Sequence, residues 1–229
     1  MASPEPVTAR HDVEIAVDPV RLAGDLAVPN EPSAIVVFAH GSGSSRRSPR
    51  NVAVADRLNR SGLATLLFDL LTEAEAAERE HVFDIDLLAT RLRGAVRWVG
   101  RRAELTDVPV ALFGASTGAA AALVASASLH NELAAIVSRG GRPDLAGDAL
   151  ERVTVPTLLI VGGKDRQVLE LNREARARLA GPSELEVVAG AGHLFEEPGA
   201  LERVADLAAE WITDHLAGAP GDVSLLDVF

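Results

Sequence analysis

The sequence predicts an α/β fold, in which helices cover both faces of a mostly parallel sheet. Strand-like and helix-like segments alternate along the chain of 229 residues, and a hydrophobic content of 48% is enough to bury a sizeable core. In addition, a strand, a glycine-rich turn and an alanine-rich helix follow one another between residues 108 and 129. We therefore predict a single domain over residues 1–229, with a core at about 12–217 and a C-terminal tail at 218–229.

The individual elements follow from apolar runs and from helical periodicity. In the helix predicted at 82–102, for example, Ile85, Leu92 and Val99 belong to an apolar set that recurs at helical spacing. The charged segment 73–80 interrupts the alternation; it predicts a solvated loop or a short helix, with a flap beside the functional site as the alternative. Strands are predicted near residues 12–17, 22–28, 34–39, 64–69, 108–113, 133–138, 155–161 and 184–189. Helices are predicted near residues 50–61, 82–102, 117–129, 167–180 and 199–217.

The most specific motif is Gly114-Ala115-Ser116-Thr117-Gly118, a Gly-x-Ser-x-Gly sequence between a predicted buried strand and a small-residue helix. A serine hydroxyl is a poor nucleophile unless it is exposed beside a base and near donors for an oxyanion. A sharp strand-to-helix turn provides that exposure, and Gly114 and Gly118 relieve the crowding at the turn. The motif predicts a nucleophilic Ser116; a serine in a tight glycine turn of another α/β domain is the alternative.

Two downstream strands end in residues that complete this chemistry. Asp165 follows an apolar run and two glycines, and His193 follows the next apolar run and its glycines. The chain order Ser116, Asp165, His193 is that of hydrolases built on the Gly-x-Ser-x-Gly turn. We therefore predict that His193 takes the proton of Ser116 and that Asp165 orients the imidazole. A strand-end histidine that is only a hydrogen-bonded polar group is the alternative. Asp69 is a second candidate acid, ranked lower because it is expected to close its own loop.

The loop after the third strand predicts the donors of an oxyanion hole. Its sequence begins His40-Gly41-Ser42-Gly43, directly after the buried strand at 34–39. Such a loop brings a main-chain N–H beside the nucleophile turn. We assign the donors to the backbone amides of Ser42 and Thr117, with Gly43 as the alternative to Ser42. The His40 side chain is predicted to orient the loop and not to transfer protons.

Together these motifs resemble the α/β-hydrolase superfamily, and its dienelactone hydrolase-like branch in particular, over about residues 12–217. The segments 113–119, 138–144 and 193–196 further resemble a bacterial subgroup of small hydrolases. Relatives of that subgroup occur fused to phosphoribosyltransferase domains, of which this sequence shows no sign. The resemblance implies an α/β-hydrolase fold, here without an insert long enough for a large lid domain. Dienelactone hydrolases use a cysteine nucleophile and this chain has no cysteine, so serine esterase chemistry is implied instead.

Composition excludes several other classes of protein. A net charge of −11 disfavours nucleic acids and anionic membranes as partners. The absence of cysteine excludes disulfides and thiolate metal sites, and no metal or other cofactor is expected. The N-terminal residues lack the basic start and apolar core of a signal peptide, and no apolar run reaches the roughly 18 residues of a membrane span. The expectation is a cytoplasmic monomer or homodimer.

Arginines follow several predicted strands, at the edge where such sheets bind ligands. Those expected to contact substrate are Arg46, Arg139 and Arg166. A guanidinium binds carboxylates and phosphates in bidentate fashion, so the sequence favours an anionic ester as one hypothesis. The alternative is that the arginines pair with acidic residues such as Asp144 and Glu196 and brace loops.

The complete prediction is a cofactor-free serine hydrolase that cleaves small-molecule carboxylic esters, with lactones and thioesters as further substrates, through an acyl-enzyme on Ser116. The alternative is a protein that keeps the fold and a silent triad, and binds a ligand or regulates a partner.

Overall fold

An eight-stranded sheet lies at the centre of the computed structural model, which describes residues 10–129 and 132–216. The predicted tail at 218–229 lies outside the described residues. The strands are β1 Arg10–Val17, β2 Val20–Ala27, β3 Ile35–Ala39, β4 Ala64–Phe68, β5 Val110–Ala115, β6 Leu133–Arg139, β7 Thr157–Gly162 and β8 Ser183–Val188. The α-helices within the described ranges are α1 Pro49–Arg60, α2 Glu73–Ala76, α3 Arg79–Phe83, α4 Ile85–Val99, α5 Thr117–Leu129, α6 Arg166–Arg176 and α7 Ala200–Asp214. Two 3₁₀ segments lie at Ala103–Leu105 and Pro143–Arg152.

The sheet has the order β1-β2-β4-β3-β5-β6-β7-β8, and the prediction of a mostly parallel α/β sheet is confirmed. The pairs β1–β2 and β2–β4 are antiparallel, whereas every other neighbouring pair is parallel. Parallel strands place their carboxyl ends at one edge of the sheet, so the loops after β3, β4, β5, β7 and β8 meet there. The central strand β5 ends at this edge directly before Ser116.

Two apolar layers hold the helices against the sheet. Val37 points to the layer shared with α4 and α5, and its neighbour Phe38 points to the layer shared with α1 and α7. This alternation follows from the two-residue period of a strand. In α5 the alanines at 119–122 and 125 are buried, because the helix packs against the sheet, α4 and the second 3₁₀ segment. The nucleophile turn therefore stands on the most tightly enclosed helix of the described fold.

Most element bounds differ from the prediction by only a few residues, and two differences have a physical cause. Strand β5 begins at Val110 and not at 108, because Pro109 has no N–H to donate to the sheet. The helix predicted at 82–102 is divided at Asp84, whose side chain caps α4 by accepting the Leu87 amide at 2.9 Å. The charged segment 73–80 forms a short helix, as one of the predicted alternatives has it: α2 and the start of α3 lie there, and Thr72 and Glu75 build a capping box.

Candidate active site

Ser116 occupies a strained turn between β5 and α5. Its φ is 52°, in the left-handed region that non-glycine residues rarely adopt. Two backbone hydrogen bonds hold the turn: the Ser116 amide donates to the Arg139 carbonyl at 3.2 Å, and the Ser116 carbonyl accepts from the Arg142 amide at 3.1 Å. The end of β6 thus supports the conformation that a nucleophilic serine requires.

The two glycines of the motif permit this turn for steric reasons, as the motif predicts. A Cβ at Gly114 would overlap the backbone of Ala119 in the first turn of α5. A Cβ at Gly118 would overlap the carbonyl oxygens of Ala39 and His40, at the end of β3. Each glycine therefore allows two backbone segments to approach more closely than any side chain would permit.

An imidazole–carboxylate pair lies at the same edge of the sheet. Asp165 Oδ2 is 2.7 Å from His193 Nδ1, and the two side chains are 17% and 40% exposed. The other carboxylate oxygen, Oδ1, accepts the Val168 amide at 3.4 Å and so caps α6. Because a carboxylate only accepts, Nδ1 carries the proton in this pair and Nε2 is left as the basic atom.

The loop that carries His193 is fastened to the end of β7. Gly162 permits the approach, because a Cβ there would overlap the carbonyl oxygens of Ala191 and Gly192. The Lys164 amide donates to the Ala191 carbonyl at 2.9 Å. Both carboxylate oxygens of Glu197 accept the Gly192 amide at 3.0 Å, and this bond lowers the pKa of Glu197. Sequence reasoning did not assign Glu197 this role, although its position four residues after His193 is a signal that was available.

Gly140 lies close both to His193 and to the turn that carries Ser116. A Cβ at Gly140 would lie 3.6 Å from His193 Cε1, and Gly140 follows the residue whose carbonyl holds the Ser116 amide. The Ser116 hydroxyl makes no hydrogen bond within 3.5 Å to a described residue, so the contact for proton transfer is not formed in this conformation. Catalytic hydrogen bonds commonly tighten only when substrate binds.

The Ser42 amide has a partner other than the predicted oxyanion. It donates to the side-chain oxygen of Thr117 at 2.8 Å, which ties the loop after β3 to the start of α5. The Thr117 amide stands at the first position of α5, where backbone N–H groups have no acceptor within the helix. Gly43 is the next residue of the loop and has a φ of 69°. In this conformation the Ser42 amide is therefore occupied, and the oxyanion donors stay a prediction, with Thr117 and either Ser42 or Gly43.

His40 and Asp69 hold the loop after β3. The His40 ring lies 3.0 Å from the Gly41 carbonyl through Nδ1, and Nε2 accepts the Leu70 amide at 3.1 Å. Burial lowers the pKa of His40, so the ring is neutral at pH 7. Asp69 accepts the backbone amide of Arg46 at 2.8 Å and its Nη1 at 2.9 Å. Asp165, and not Asp69, is therefore the carboxylate that contacts His193.

The match to known proteins agrees with this geometry. The family described as alpha/beta hydrolase domain matches residues 32–217. The chain belongs to the α/β-hydrolase family. It is 50% identical in sequence to a dienelactone hydrolase from Anabaena variabilis, with a TM-score of 0.89 over 92% of this chain and 99% of that one. The esterase Est1E from Butyrivibrio proteoclasticus is 17% identical with a TM-score of 0.76, over 90% of this chain and 99% of that one; it shares the fold.

Two curated relatives have a different name. Proteins from two strains of Mycobacterium tuberculosis, provisionally named phosphoribosyl transferases, are 56% identical over 220 residues, which is 96% of this chain. The chain spans about half the length of these relatives, 49%. The half that they share with this chain includes the residues that match the α/β-hydrolase family.

Arg46, one of the three arginines predicted to contact substrate, is engaged by acidic side chains. It lies 2.9 Å from Asp69, 3.2 Å from Asp25 and 3.9 Å from Asp12. Burial lowers the pKa of Arg46, but the hydrogen bonds and charges of Asp69 and Asp25 outweigh burial and raise it. This arginine braces the loop, as the alternative hypothesis expects. Arg142–Asp144 at 2.7 Å is a similar pair.

Arg139 is in the opposite situation in this α/β-hydrolase. The residue is only 8% exposed, and its sole side-chain hydrogen bond joins Nη2 to Asn51 Oδ1 at 3.3 Å. Its Nε and Nη1 atoms are buried without a partner among the described residues. Burial, together with the charge of Arg50, lowers the pKa of Arg139 to about 10. Arg166, the third predicted arginine, is exposed on the first residue of α6.

Within residues 10–129 and 132–216, no helix is long and apolar enough to cross a membrane. Within the same residues, no group of three or more His, Cys, Asp or Glu side chains is arranged to hold a metal ion.

Proposed function

We propose that this α/β-hydrolase cleaves carboxylic esters, with lactones and thioesters as further substrates, through an acyl-enzyme on Ser116. The observation that carries the proposal is the 2.7 Å contact between Asp165 Oδ2 and His193 Nδ1, at the edge where Ser116 stands in a strained turn. A hydroxyl nucleophile, an oriented base and an adjacent helix N-terminus are the parts that acyl transfer needs.

The reaction proceeds in two steps with water as the only co-substrate. His193 Nε2 takes the proton of Ser116 as Oγ bonds to the ester carbonyl carbon, and then gives that proton to the departing alcohol oxygen. A water molecule, deprotonated by the same nitrogen, then attacks the acyl carbon; the bond from that carbon to Ser116 Oγ breaks, Oγ receives the proton back from His193, and the acid is released. Asp165 stabilises the imidazolium that forms in each step.

The negative oxygen of each tetrahedral intermediate requires amide donors. The Thr117 amide at the start of α5 supplies one. The second comes from the loop after β3, from Gly43, or from Ser42 once its 2.8 Å bond to Thr117 is released. The names of the similar structures, dienelactone hydrolase and an esterase solved with ferulic acid, support a carbonyl substrate.

A fluorophosphonate probe separates this proposal from the alternative of a silent ligand-binding protein. The wild-type protein is expected to be labelled on Ser116 and to hydrolyse p-nitrophenyl acetate. Ser116→Ala should lose labelling and lower kcat by about 10⁴ or more while remaining folded by circular dichroism. Ser61→Ala, at an exposed serine after α1, is the matched control and should keep both properties. An unlabelled wild type, or labelling that survives in Ser116→Ala, would refute the proposal.

One observation favours esters that carry a negative charge over neutral esters. Arg139 is a buried guanidinium with two unpartnered nitrogens, and no carboxylate of the described residues pairs with it. A substrate carboxylate or phosphate would supply the missing acceptor. Arg166 lies exposed at the same edge and would add a second positive charge, whereas Arg46 is already engaged by aspartates.

A further inference from the structure

A cavity of about 380 Å³ lies beside the nucleophile turn, between the loop after β3 and the segment after β4. Its size is within the range of roughly 300–1,000 Å³ that is usual for small-molecule sites. The rim is polar, with Ser44, Arg47 and Glu73. The side chain of His40 and the ion pair of Arg46 with Asp69 also line the cavity. Apolar side chains line the remainder, namely Leu70, Leu71, Ala76, Val82 and Leu88.

The cavity lies next to Ser116, because Gly41 borders both. Gly41 lines the cavity, and a Cβ at this position would lie only 3.1 Å from Ser116 Cβ. Glycine thus lets the loop after β3 approach the serine closely. This close approach places a group bonded to a carbonyl carbon at Ser116 beside the cavity.

The order of the strands assigns a direction to the bound ester. Asp165 and His193 follow β7 and β8, on one side of the central strand β5. The cavity residues follow β3 and β4, on the opposite side of β5. Because the base must protonate the departing alcohol oxygen, the alcohol lies on the β7–β8 side of Ser116. The oxyanion of the same carbon faces the Thr117 amide and the loop after β3, and the acyl substituent is the group left to extend past that loop toward β4.

The wall at α2 is held in place by named contacts. Glu75 accepts the Thr72 amide at 2.9 Å and lies 2.7 Å from the Arg91 guanidinium of α4. Arg91 is itself 5% exposed and also reaches the Val17 carbonyl at 3.4 Å. Helix α2 is therefore fastened to α4 and β1, so the cavity exists before any ligand binds.

We propose that this cavity binds the acyl group of the substrate, so that the enzyme selects esters of apolar, medium-length acids. The inference rests on the proposed function, since it needs Ser116 as the acylated residue. It assigns a specificity role to α2 and α3, the segment that the sequence predicted to be a solvated loop or short helix, or a flap.

The test uses two ester series and one pair of matched variants. The first series is p-nitrophenyl acetate, butyrate and octanoate; the second is methyl, butyl and octyl acetate. Ala76→Trp places an indole at an exposed residue that lines the cavity. Ala77→Trp, the next residue, is exposed and lies outside the lining residues. Fluorophosphonate labelling of each variant reports whether Ser116 is still reactive.

Ala76→Trp is expected to lower kcat/KM for the octanoate by about tenfold or more relative to the acetate, because the ring displaces the chain from its site. The alkyl acetates should change equally, and Ala77→Trp should leave both series as in the wild type. Val82→Ala, which enlarges the cavity, should favour the octanoate. Two results would overturn the acyl assignment in a variant whose Ser116 is still labelled. One is that Ala76→Trp changes the dependence of kcat/KM on chain length only among the alkyl acetates; the other is that Ala76→Trp and Ala77→Trp have equal effects. Failure of the wild type to label would overturn the proposed function and the assignment together.

Discussion

On the β3–β4 side of Ser116, Arg46 lies within 4 Å of three aspartates, whereas on the β6–β8 side Arg139 is buried with two nitrogens unpartnered. Both guanidinium groups are largely removed from water, and a charge so removed requires compensation. On the first side the protein supplies that compensation itself. On the second side it does not, and the hydrogen-bonded pair of Asp165 and His193 is partly exposed to solvent.

This difference indicates that the β3–β4 side and the β6–β8 side of Ser116 have different roles. The β3–β4 side is a braced framework: Asp69 holds Arg46, and a neutral His40 accepts the Leu70 amide. Such a framework keeps the loop and the cavity in shape. The β6–β8 side keeps hydrogen-bonding capacity free, which is the condition for binding and chemistry.

The largest expected effect is on stability, from removing the braced arginine. Arg46→Met should lower the free energy of unfolding by about 3 kcal/mol, because Asp25 and Asp69 lose the cation that compensates their burial. Urea unfolding at pH 7 measures this value. Arg139→Met is the matched control and should change stability by less than about 1 kcal/mol, since its guanidinium has no acidic partner to leave behind. Equal losses in the two variants would show that the two sides do not differ in this way.

The next effect is a pH dependence that originates at His40. Its folded-state pKa lies below the ordinary value of 6.5, so below that pH the unfolded chain binds a proton that the folded chain does not. Stability should therefore decrease by up to about 1.4 kcal/mol per pH unit as the pH falls from 6.5 toward the folded-state pKa, and should not change through this group above 6.5. Urea titrations of wild type and His40→Gln at pH 7.5 and 5.5 check this. A slope that is identical in His40→Gln would assign the pH dependence to other groups.

The smallest effect concerns substrate choice on the β6–β8 side. If Arg139 receives a substrate anion, Arg139→Met should reduce the ratio of kcat/KM for the acetate ester of a hydroxy acid, whose carboxylate lies on the alcohol part, to that for its uncharged amide by about tenfold. Arg166→Met tests the exposed arginine in the same assay, where screening by solvent should limit the loss to about twofold. A wild type without preference for the charged ester, or a preference that Arg139→Met retains, would leave Arg139 a purely structural cation.

Much of the site could be predicted because its requirements are local. The crowding at Ser116 involves the residues two before and two after it, so the presence of glycine at 114 and 118 is enough to indicate the turn. The order of Ser116, Asp165 and His193 can likewise be read from the sequence. Each of the three follows an apolar run, which is typical of a buried strand. The alternation of such runs is sufficient for the α/β class and the mostly parallel sheet.

Other features depend on residues that only folding brings together. Arg46, Arg139 and Arg166 look equivalent in the sequence, yet the partners of Arg46 come from β1, β2 and the end of β4. The bond between Ser42 and Thr117 joins residues 75 positions apart, and the cavity forms only where the ends of β3 and β4 meet α2 and α3. Local steric demands thus determined the nucleophile turn and the class of fold in advance. The pairing of buried charges and the shape of a cavity depend on residues far apart in the sequence. Only the tertiary structure therefore decided that Arg46 is paired, that Arg139 has unpartnered nitrogens, and where the cavity lies.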